Sequence, residues 1–544
     1  MKNKTQQPVE LKAMSEMTAK HTKAHLLVRV FNVHANEQQY LLLAASDIDD
    51  KRALRRKLLD AGVSRALNDD EWSLIYAELS KTPEEYFVFC DKPGYIKVND
   101  ALCYITASAK VIGEHEGCPP FPASDSKAFT GKESSLGTLA EWKKNVAKPA
   151  SCSESIILAL CSAFAGYCIY FTNIRSGGFH FYGQSSGGKS TTLLVAASVR
   201  GNEEGMSSWK LTEAGFEEDA ESHNHGLLVL DELKLLDKSP EEAARKAMDI
   251  CYMLGGGRGK IRSVGYQKST ASWLLVMLSA GERSLGQHAS DGGLERMKGE
   301  EVRLVDVPVD DNQEYGVVNS LPEGMNAGEF IEFIQNQCGQ YYGTAGPKFV
   351  NKLLRKGENN IRGELAHLID KFLIHHDMDN CNDGVQRRIA LRFALAYASG
   401  ILAVDMKVLP YTRKSIMRAV SACYCRARKP VEIKKERFFN EPFISKMLSP
   451  SVLNMNSKGY DRDELESIDV LAVTMNNQDV LAIKKDVFKA NALTNEKATI
   501  NLLRRHDILF DDAEGRSTRQ IPFNGERLSR RYCLKLNALR AFLS

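Results

Sequence analysis

The sequence shows no leader-like pattern at its first residues, no long hydrophobic run free of small residues, no repeated cysteine spacing and almost no net charge. Each absence excludes a class. Met1-Lys2-Asn3-Lys4-Thr5-Gln6-Gln7 lacks the apolar core of a signal peptide. The most apolar stretch, residues 156–170, is about 15 residues long, short of the ~20 that cross a membrane, and reads as a buried helix. Twelve cysteines are scattered, and the closest pair, Cys423 and Cys425, has no ligand-type neighbours. That excludes a zinc module or a disulfide scaffold and leaves reduced thiols. A net charge of +3 excludes a globally basic protein, so any nucleic-acid contact is confined to a patch. No internal repeat interrupts the chain. A cytoplasmic protein with no membrane association is expected.

What is present is ordinary for a globular chain, with 43% hydrophobic and 26% charged residues. A length of 544 residues exceeds one core, and composition divides the chain into residues 1–115, 116–138, 139–310, 311–430 and 431–544. Residues 1–20 are polar and read as frayed. β-like runs at 25–31, 39–43 and 86–89 flank a charged helical stretch at 50–61, so 1–115 is expected to be a small α+β domain. A connector rich in proline, glycine and serine follows, opening near Pro119-Pro120-Phe121-Pro122. From 177 to 310, strand patterns at 179–182, 226–230, 273–278 and 302–307 alternate with helical ones. This predicts a mostly parallel sheet covered on both faces. Residues 327–428 read as five helices forming a lid.

The chemistry concentrates at Gly183-Gln184-Ser185-Ser186-Gly187-Gly188-Lys189-Ser190, which fits G-x-x-x-x-G-K-[ST] between an apolar strand and an apolar helix opening at Thr191. Glycines let backbone N–H groups curl round phosphates, and the helix N-terminus adds its positive end. Lys189 is the residue for the β- and γ-phosphates, and Ser190 offers a hydroxyl to Mg²⁺. Some forty residues on, Gly226-Leu227-Leu228-Val229-Leu230 delivers Asp231 and Glu232 to the same edge. Asp231 is expected at the metal and Glu232 at the attacking water. A third apolar strand ends in Ser279-Ala280-Gly281-Glu282, where Ser279 is either a polar sensor of the γ-phosphate or an ordinary strand-ending serine.

Strand, glycine loop, Asp-Glu strand, polar-ended strand, arginine-bearing strand and helical lid follow in an order that resembles the AAA+ class. Residues 250–281 contain Arg258, Lys260, Arg262 and Lys268 and no acid. A hairpin here resembles the pre-sensor hairpin of the minichromosome maintenance helicases, which grips DNA phosphates inside a ring. The resemblance also implies an arginine acting on the neighbouring subunit's nucleotide, Arg303 first and Arg296 in reserve. Arg388 is the matching lid arginine, one turn before Arg392 on the same face.

Ser176-Gly177-Gly178-Phe179-His180-Phe181-Tyr182-Gly183, Ser208-Trp209-Lys210-Leu211-Thr212 and Leu278-Ser279-Ala280-Gly281-Glu282 together resemble the domain-of-unknown-function family 927. Helicases of staphylococcal cassette elements belong to it. The resemblance, read over residues 139–426, implies an ATP- and Mg²⁺-dependent DNA helicase or translocase, hexameric, serving a mobile element or phage. The rival from the same core is a defence or signalling ATPase that remodels a protein partner. Residues 484–535 carry twelve Lys/Arg against seven Asp/Glu and read helix, turn, helix, strands. This fits a winged-helix-like module with 495–505 toward DNA and Arg516 and Arg519 on the wing, or a protein-docking cap. The expected fold is thus α/β: an AAA+ core, a helical lid, a small N-terminal α+β domain and a C-terminal winged-helix-like module.

Overall fold

The computed structural model describes residues 8–15, 24–83, 85–115, 120–122, 126–130, 132–184, 187–231, 233, 239–260, 262–264, 267–309, 316–379, 381–428, 438–455, 459–493, 495–512 and 514–543. They form two compact units, 1–428 and 429–544.

The first unit opens with β1 (Val9–Ser15), β2 (His25–Asn32), β3 (Glu37–Ala44), α1 (Lys51–Asp60), α2 (Asp69–Leu79) and β4 (Glu85–Phe87), with sheet order β3-β2-β1-β4. The frayed segment expected over 1–20 is therefore ordered in part. Val9 and Ala13 are buried, and β1 pairs with β2 on one side and β4 on the other. Glu10 and Lys12, two of the polar residues that suggested fraying, are half-exposed side chains of this strand. Helix α2 starts at a reciprocal Asn68–Glu71 cap and packs Trp72, Ile75 and Leu79 onto the sheet.

A second small sheet, β6 (Gly94–Val98), β7 (Ala101–Ile105) and β8 (Val111–Ile112), lies beyond β5 (Phe89–Cys90). The connector expected at 116–138 is tied down. β9 (Phe121–Pro122) pairs with β5, and Glu133 forms an ion pair with Arg200 in which both side chains are only 12% exposed.

Two helices, α3 (Leu139–Trp142) and α4 (Glu154–Cys168), lead into the core. Among the described residues one helical stretch, Glu154–Phe171, is long and apolar enough to cross a membrane, and 89% of it is buried inside the protein. The core elements follow in chain order as β10 (Gly177–Tyr182), α5 (Lys189–Ala197), β11 (Ser207–Ser208), α6 (Glu213–Ser222), β12 (Leu227–Asp231), α7 (Pro240–Gly256), β13 (Arg262–Val264), β14 (Gln267–Ser269), β15 (Val276–Gly281), α8 (Leu285–Asp291), α9 (Lys298–Glu301) and β16 (Leu304–Pro308). Five strands make one parallel sheet, ordered β11-β12-β15-β10-β16. β13 and β14 form the expected hairpin apart from it. The strand expected at 273–278 starts three residues late. Trp273 is used by the hairpin root: its N–H donates to Gly257 O and its indole N–H to Leu254 O.

Five helices complete the unit: α10 (Ala327–Gln340), α11 (Ala345–Lys356), α12 (Glu358–His375), α13 (Gly384–Asp405) and α14 (Arg413–Arg428). α4 packs against α5, α13 and α14.

The second unit contains α15 (Glu441–Leu448), α16 (Arg462–Ser467), β17 (Val470–Met475), β18 (Gln478–Ile483), α17 (Lys485–Asn491), α18 (Glu496–Arg505), β19 (Thr518–Phe523), β20 (Glu526–Lys535) and α19 (Leu536–Leu543). Its sheet is antiparallel, β17-β18-β20-β19, over a core that includes Phe439, Phe488, Leu503 and Tyr532. The cysteines described are unpaired and most are buried.

Candidate functional site

The parallel register decides what lies at each end of the sheet. β10 aligns Tyr182 with Gly281 of β15 and with Pro308 of β16, while β12 aligns Leu230 with Ser279. The 183–190 loop therefore leaves the same edge of the sheet at which β12 ends in Asp231. Open α/β sheets bind ligands at this carboxyl edge, because loops fan out there and helix N-termini point inward.

The loop is shaped for an anion. Gly188 sits at φ +82, and a Cβ there would come within 2.7 Å of Ile331 and Val317. Only glycine fits both the left-handed turn and that contact. Val317 N donates to Gly187 O at 2.9 Å and braces the loop from outside. No side chain caps the start of α5, so its first N–H groups face the loop. Lys189 is 8% exposed, and its ammonium donates to Gln184 O. Ser190 is exposed beside it and Asp231 is half-buried at the end of β12. A lysine, a free-facing hydroxyl and a carboxylate at one sheet edge are a donor set that fits a nucleotide triphosphate with a hard divalent cation. Thr191 turns the other way and accepts a hydrogen bond from Gln335 of α10 at 2.8 Å. Ser185, Ser186 and Glu232 lie outside the described residues.

Ser279 is placed inside the core instead of on the loop. It is fully buried, two positions short of the end of β15. Trp209 Nε1–H donates to its Oγ at 2.9 Å, and His180 Nδ1 lies 3.1 Å away. An indole only donates, so the serine hydroxyl passes its proton on to Nδ1, and Nε2–H of His180 donates to Arg283 O at 3.0 Å. Burial lowers the pKa of His180 and keeps the ring neutral. The result is a directed relay from the Asp231 side of the sheet to the loop after β15. Trp209→Phe keeps an aromatic ring but removes the first donor and leaves a cavity where the pyrrole was. The expected cost is about 2 kcal/mol or more, read as a lowered thermal midpoint.

Arg303 enters β16 at the opposite edge: its carbonyl accepts from Gly178 N at 2.8 Å. Five strand residues separate that point from Gly183, about 16 Å at 3.3 Å each. Its guanidinium lies 4.2 Å from the centre of the Tyr252 ring and donates to Gly299 O. Arg296, the reserve, is committed elsewhere. It is ion-paired with Asp306 at 2.5 Å, with its side chain 8% exposed, and also donates to Leu304 O.

Arg388 is exposed in the first turn of α13 and donates to Gly384 O at 2.8 Å. Arg392, one turn on, binds the carbonyls of Val302, Arg175 and Ser176. Burial, then the nearby Arg303 and Arg388, pull its guanidinium down to about 10. These contacts put the start of α13 at the Arg303 edge of the sheet, so Arg388 does not face the chain's own 183–190 loop. The lid arginine expected to reach the γ-phosphate is thus on the far side.

At the hairpin, Arg258 is exposed, and Lys260 donates its backbone N–H to Glu217 and its ammonium to Glu213. The backbones of Arg262 and Lys268 lie in the paired strands. In the second unit Arg516 is held by Asp512 at 2.7 Å and Glu514 at 2.6 Å, and Arg519 stacks on Phe510 at 4.3 Å. Both arginines expected on the wing are thus engaged within their own unit, while the net positive excess of residues 484–535 stands.

These elements define a mixed α/β protein with a parallel sheet, many helices and a strand–glycine loop–helix unit at its carboxyl edge. Residues 4–268, just under half of the chain, match the family model described as "Domain of unknown function (DUF927)". The resemblance read from the core motifs holds, although the matched stretch begins in the N-terminal sheet and ends in the hairpin. A solved structure described as "SCCmec type IV Cch - active helicase" has the same fold. Its TM-score is 0.59 at 18% identity, covering 98% of this chain and 94% of that one. A second, "The A form apo structure of NrS-1 C terminal region-CTR", aligns at 12% identity over 77% of this chain and 92% of that one, with a TM-score of only 0.25. No curated protein matches the sequence.

Proposed function

We propose that this protein is an ATP-dependent DNA helicase or translocase of the AAA+ type. In this reading 139–310 is the ATPase core, 311–430 the lid, 431–544 a winged-helix-like module, 116–138 the connector and 1–115 an N-terminal domain of unassigned role. The observation that carries it is the shared sheet edge of the 183–190 loop and Asp231. The likeness to a helicase structure supports it at the level of fold.

Lys189 and the N–H groups opening α5, the backbone of Thr191 included, would hold the triphosphate, with Gly183, Gln184, Ser185, Ser186, Gly187 and Gly188 lining it. Ser190 and Asp231 would hold Mg²⁺, which supplies charge neutralisation at the phosphates. Glu232 would orient and deprotonate the attacking water. Arg303 and Arg388 stand at the far edge, so both would serve the nucleotide of the next subunit, which calls for a ring, a hexamer in this reading. Ser279 acts through the relay to Trp209 and His180. A cytoplasmic location and service to a mobile element or phage complete the reading.

Arg258, Lys260, Arg262 and Lys268 would track the DNA backbone. The test is ATP turnover with and without single-stranded DNA, with stimulation expected at low salt. In Lys260→Ala/Arg262→Ala the log–log salt slope of DNA binding should be shallower by about 1.4, two phosphate contacts on a single strand. Turnover indifferent to DNA, with an unchanged slope, would favour the protein-remodelling rival. The Lys260–Glu213 ion pair is the one contact that favours that rival.

A further inference from the structure

We propose that α6 is the lever joining the nucleotide edge to the hairpin, with Glu217 and Glu221 as its positioning residues. The inference rests on the reading of 183–190 and Asp231 as the nucleotide site, and goes beyond it in naming the element that carries nucleotide state to the hairpin.

Glu213, Glu217 and Glu221 are four apart on α6 and so form one stripe. The stripe grips both legs of the hairpin root. On the first leg, Glu217 Oε1 accepts from Lys260 N at 3.0 Å, and Glu213 takes the Lys260 ammonium. On the second, Glu221 Oε1 accepts from Ser272 N at 3.0 Å. The legs are joined to each other, since Gly259 N donates to Ala271 O at 2.9 Å and Arg258 bridges to Ser272. Glu217 is 1% exposed, and a Cβ on Gly259 would lie 2.6 Å from its carboxyl carbon. The first leg is thus pressed onto a buried carboxylate, a costly group to hide for packing alone.

The N-terminal end of α6 is also tied to the nucleotide edge. Trp209 N donates to Asp231 O at 3.2 Å, and its indole to Ser279. Thr212 caps the helix by accepting from Gly215 N. Trp209 and Phe216, both fully buried, meet edge-to-face at 6.4 Å. Three residues separate the Asp231-bound tryptophan from the first turn of α6. A shift of the Asp231 strand end is therefore passed to α6 as a rigid body, and by Glu217 and Glu221 to both hairpin legs.

The test uses the full chain with Glu217→Ala, Glu221→Ala and the corresponding Gln variants. Two quantities are measured: ATP turnover with and without a single-stranded oligonucleotide, and amide hydrogen exchange of the segments around Lys260 and Ser272 with and without a non-hydrolysable ATP analogue. In the wild type the analogue changes exchange at both segments. The Ala variants bind the analogue as before, lose that change, and lose about tenfold of the DNA stimulation, the size of an ordinary coupling. The Gln variants recover both, because the amide oxygen still accepts from the backbone; mere loss of packing would not be rescued this way. If Glu217→Ala fails to fold, Glu221→Ala at the half-exposed end carries the test. Wild-type protein that binds the analogue with no change in exchange at the root overturns the lever. So do Ala variants that respond like wild type. Wild-type protein that binds no analogue at all sinks the nucleotide-site reading instead.

Discussion

Lys189→Ala will reduce ATP turnover by about 10³-fold or more while leaving the protein folded. Phosphoryl transfer offers a protein little covalent work, so the rate comes from positioning and from fixed positive charge at the phosphates. Removing a single neutral donor from such a site costs ~10²–10³-fold, and Lys189 brings a full charge in a largely buried position. Its ammonium donates to the carbonyl of Gln184, an exposed residue whose oxygen water can solvate in its place. The thermal midpoint should move by no more than about 2 °C, the scale of a fraction of a kcal/mol in a chain this size. Phosphate release, with circular dichroism melting as control, checks both halves. Turnover above a tenth of wild type would show that the 183–190 loop is not the working site.

Arg303→Ala will remove turnover by about 10³-fold, the lower end of what an arginine supplied to a neighbouring nucleotide contributes, while nucleotide affinity stays close to wild type. The reason is positional. Arg303 lies at the amino edge of β16 and the 183–190 loop leaves the carboxyl edge of β10, a separation no arginine side chain spans. Mixing Arg303→Ala protomers with Glu232→Gln protomers should therefore recover activity, since each mixed interface in one orientation has an intact acid on one side and an intact arginine on the other. The structural alternative is explicit: Arg303 stacks on Tyr252 and donates to Gly299 O. If that is its whole role, the variant loses stability instead and mixing recovers nothing.

The local chemistry was legible in the residues themselves. A glycine loop between an apolar strand and helix has few alternatives, and the run before Asp231 could only be a buried strand. The five helices over 327–428 also followed from period and punctuation, and the hairpin from the resemblance to the minichromosome maintenance helicases. Other readings needed coordinates. The polar start of the chain hides a strand because β1 buries only Val9, Ala13 and Ser15 and leaves the side chains between them half-exposed. Ser279 resembles a strand-end serine, yet a shift of three residues in β15 places it under Trp209. Arg516 and Arg519 count as positive charge in a tally but stand beside Asp512, Glu514 and Phe510.

By itself the sequence determined where the glycine loop and the Asp231 strand lie, most of the core strands and helices, and that the core sheet is mostly parallel. All of these depend on neighbours within a few residues. Which end of the sheet each group occupies was decided only by tertiary structure. The register of β10 with β15 and β16 sets Asp231 beside the loop and Arg303 away from it, and α6 meets the hairpin through contacts some fifty residues apart in sequence. Such pairings are selected by burial of the whole sheet and helix layer at once, and no local pattern encodes them.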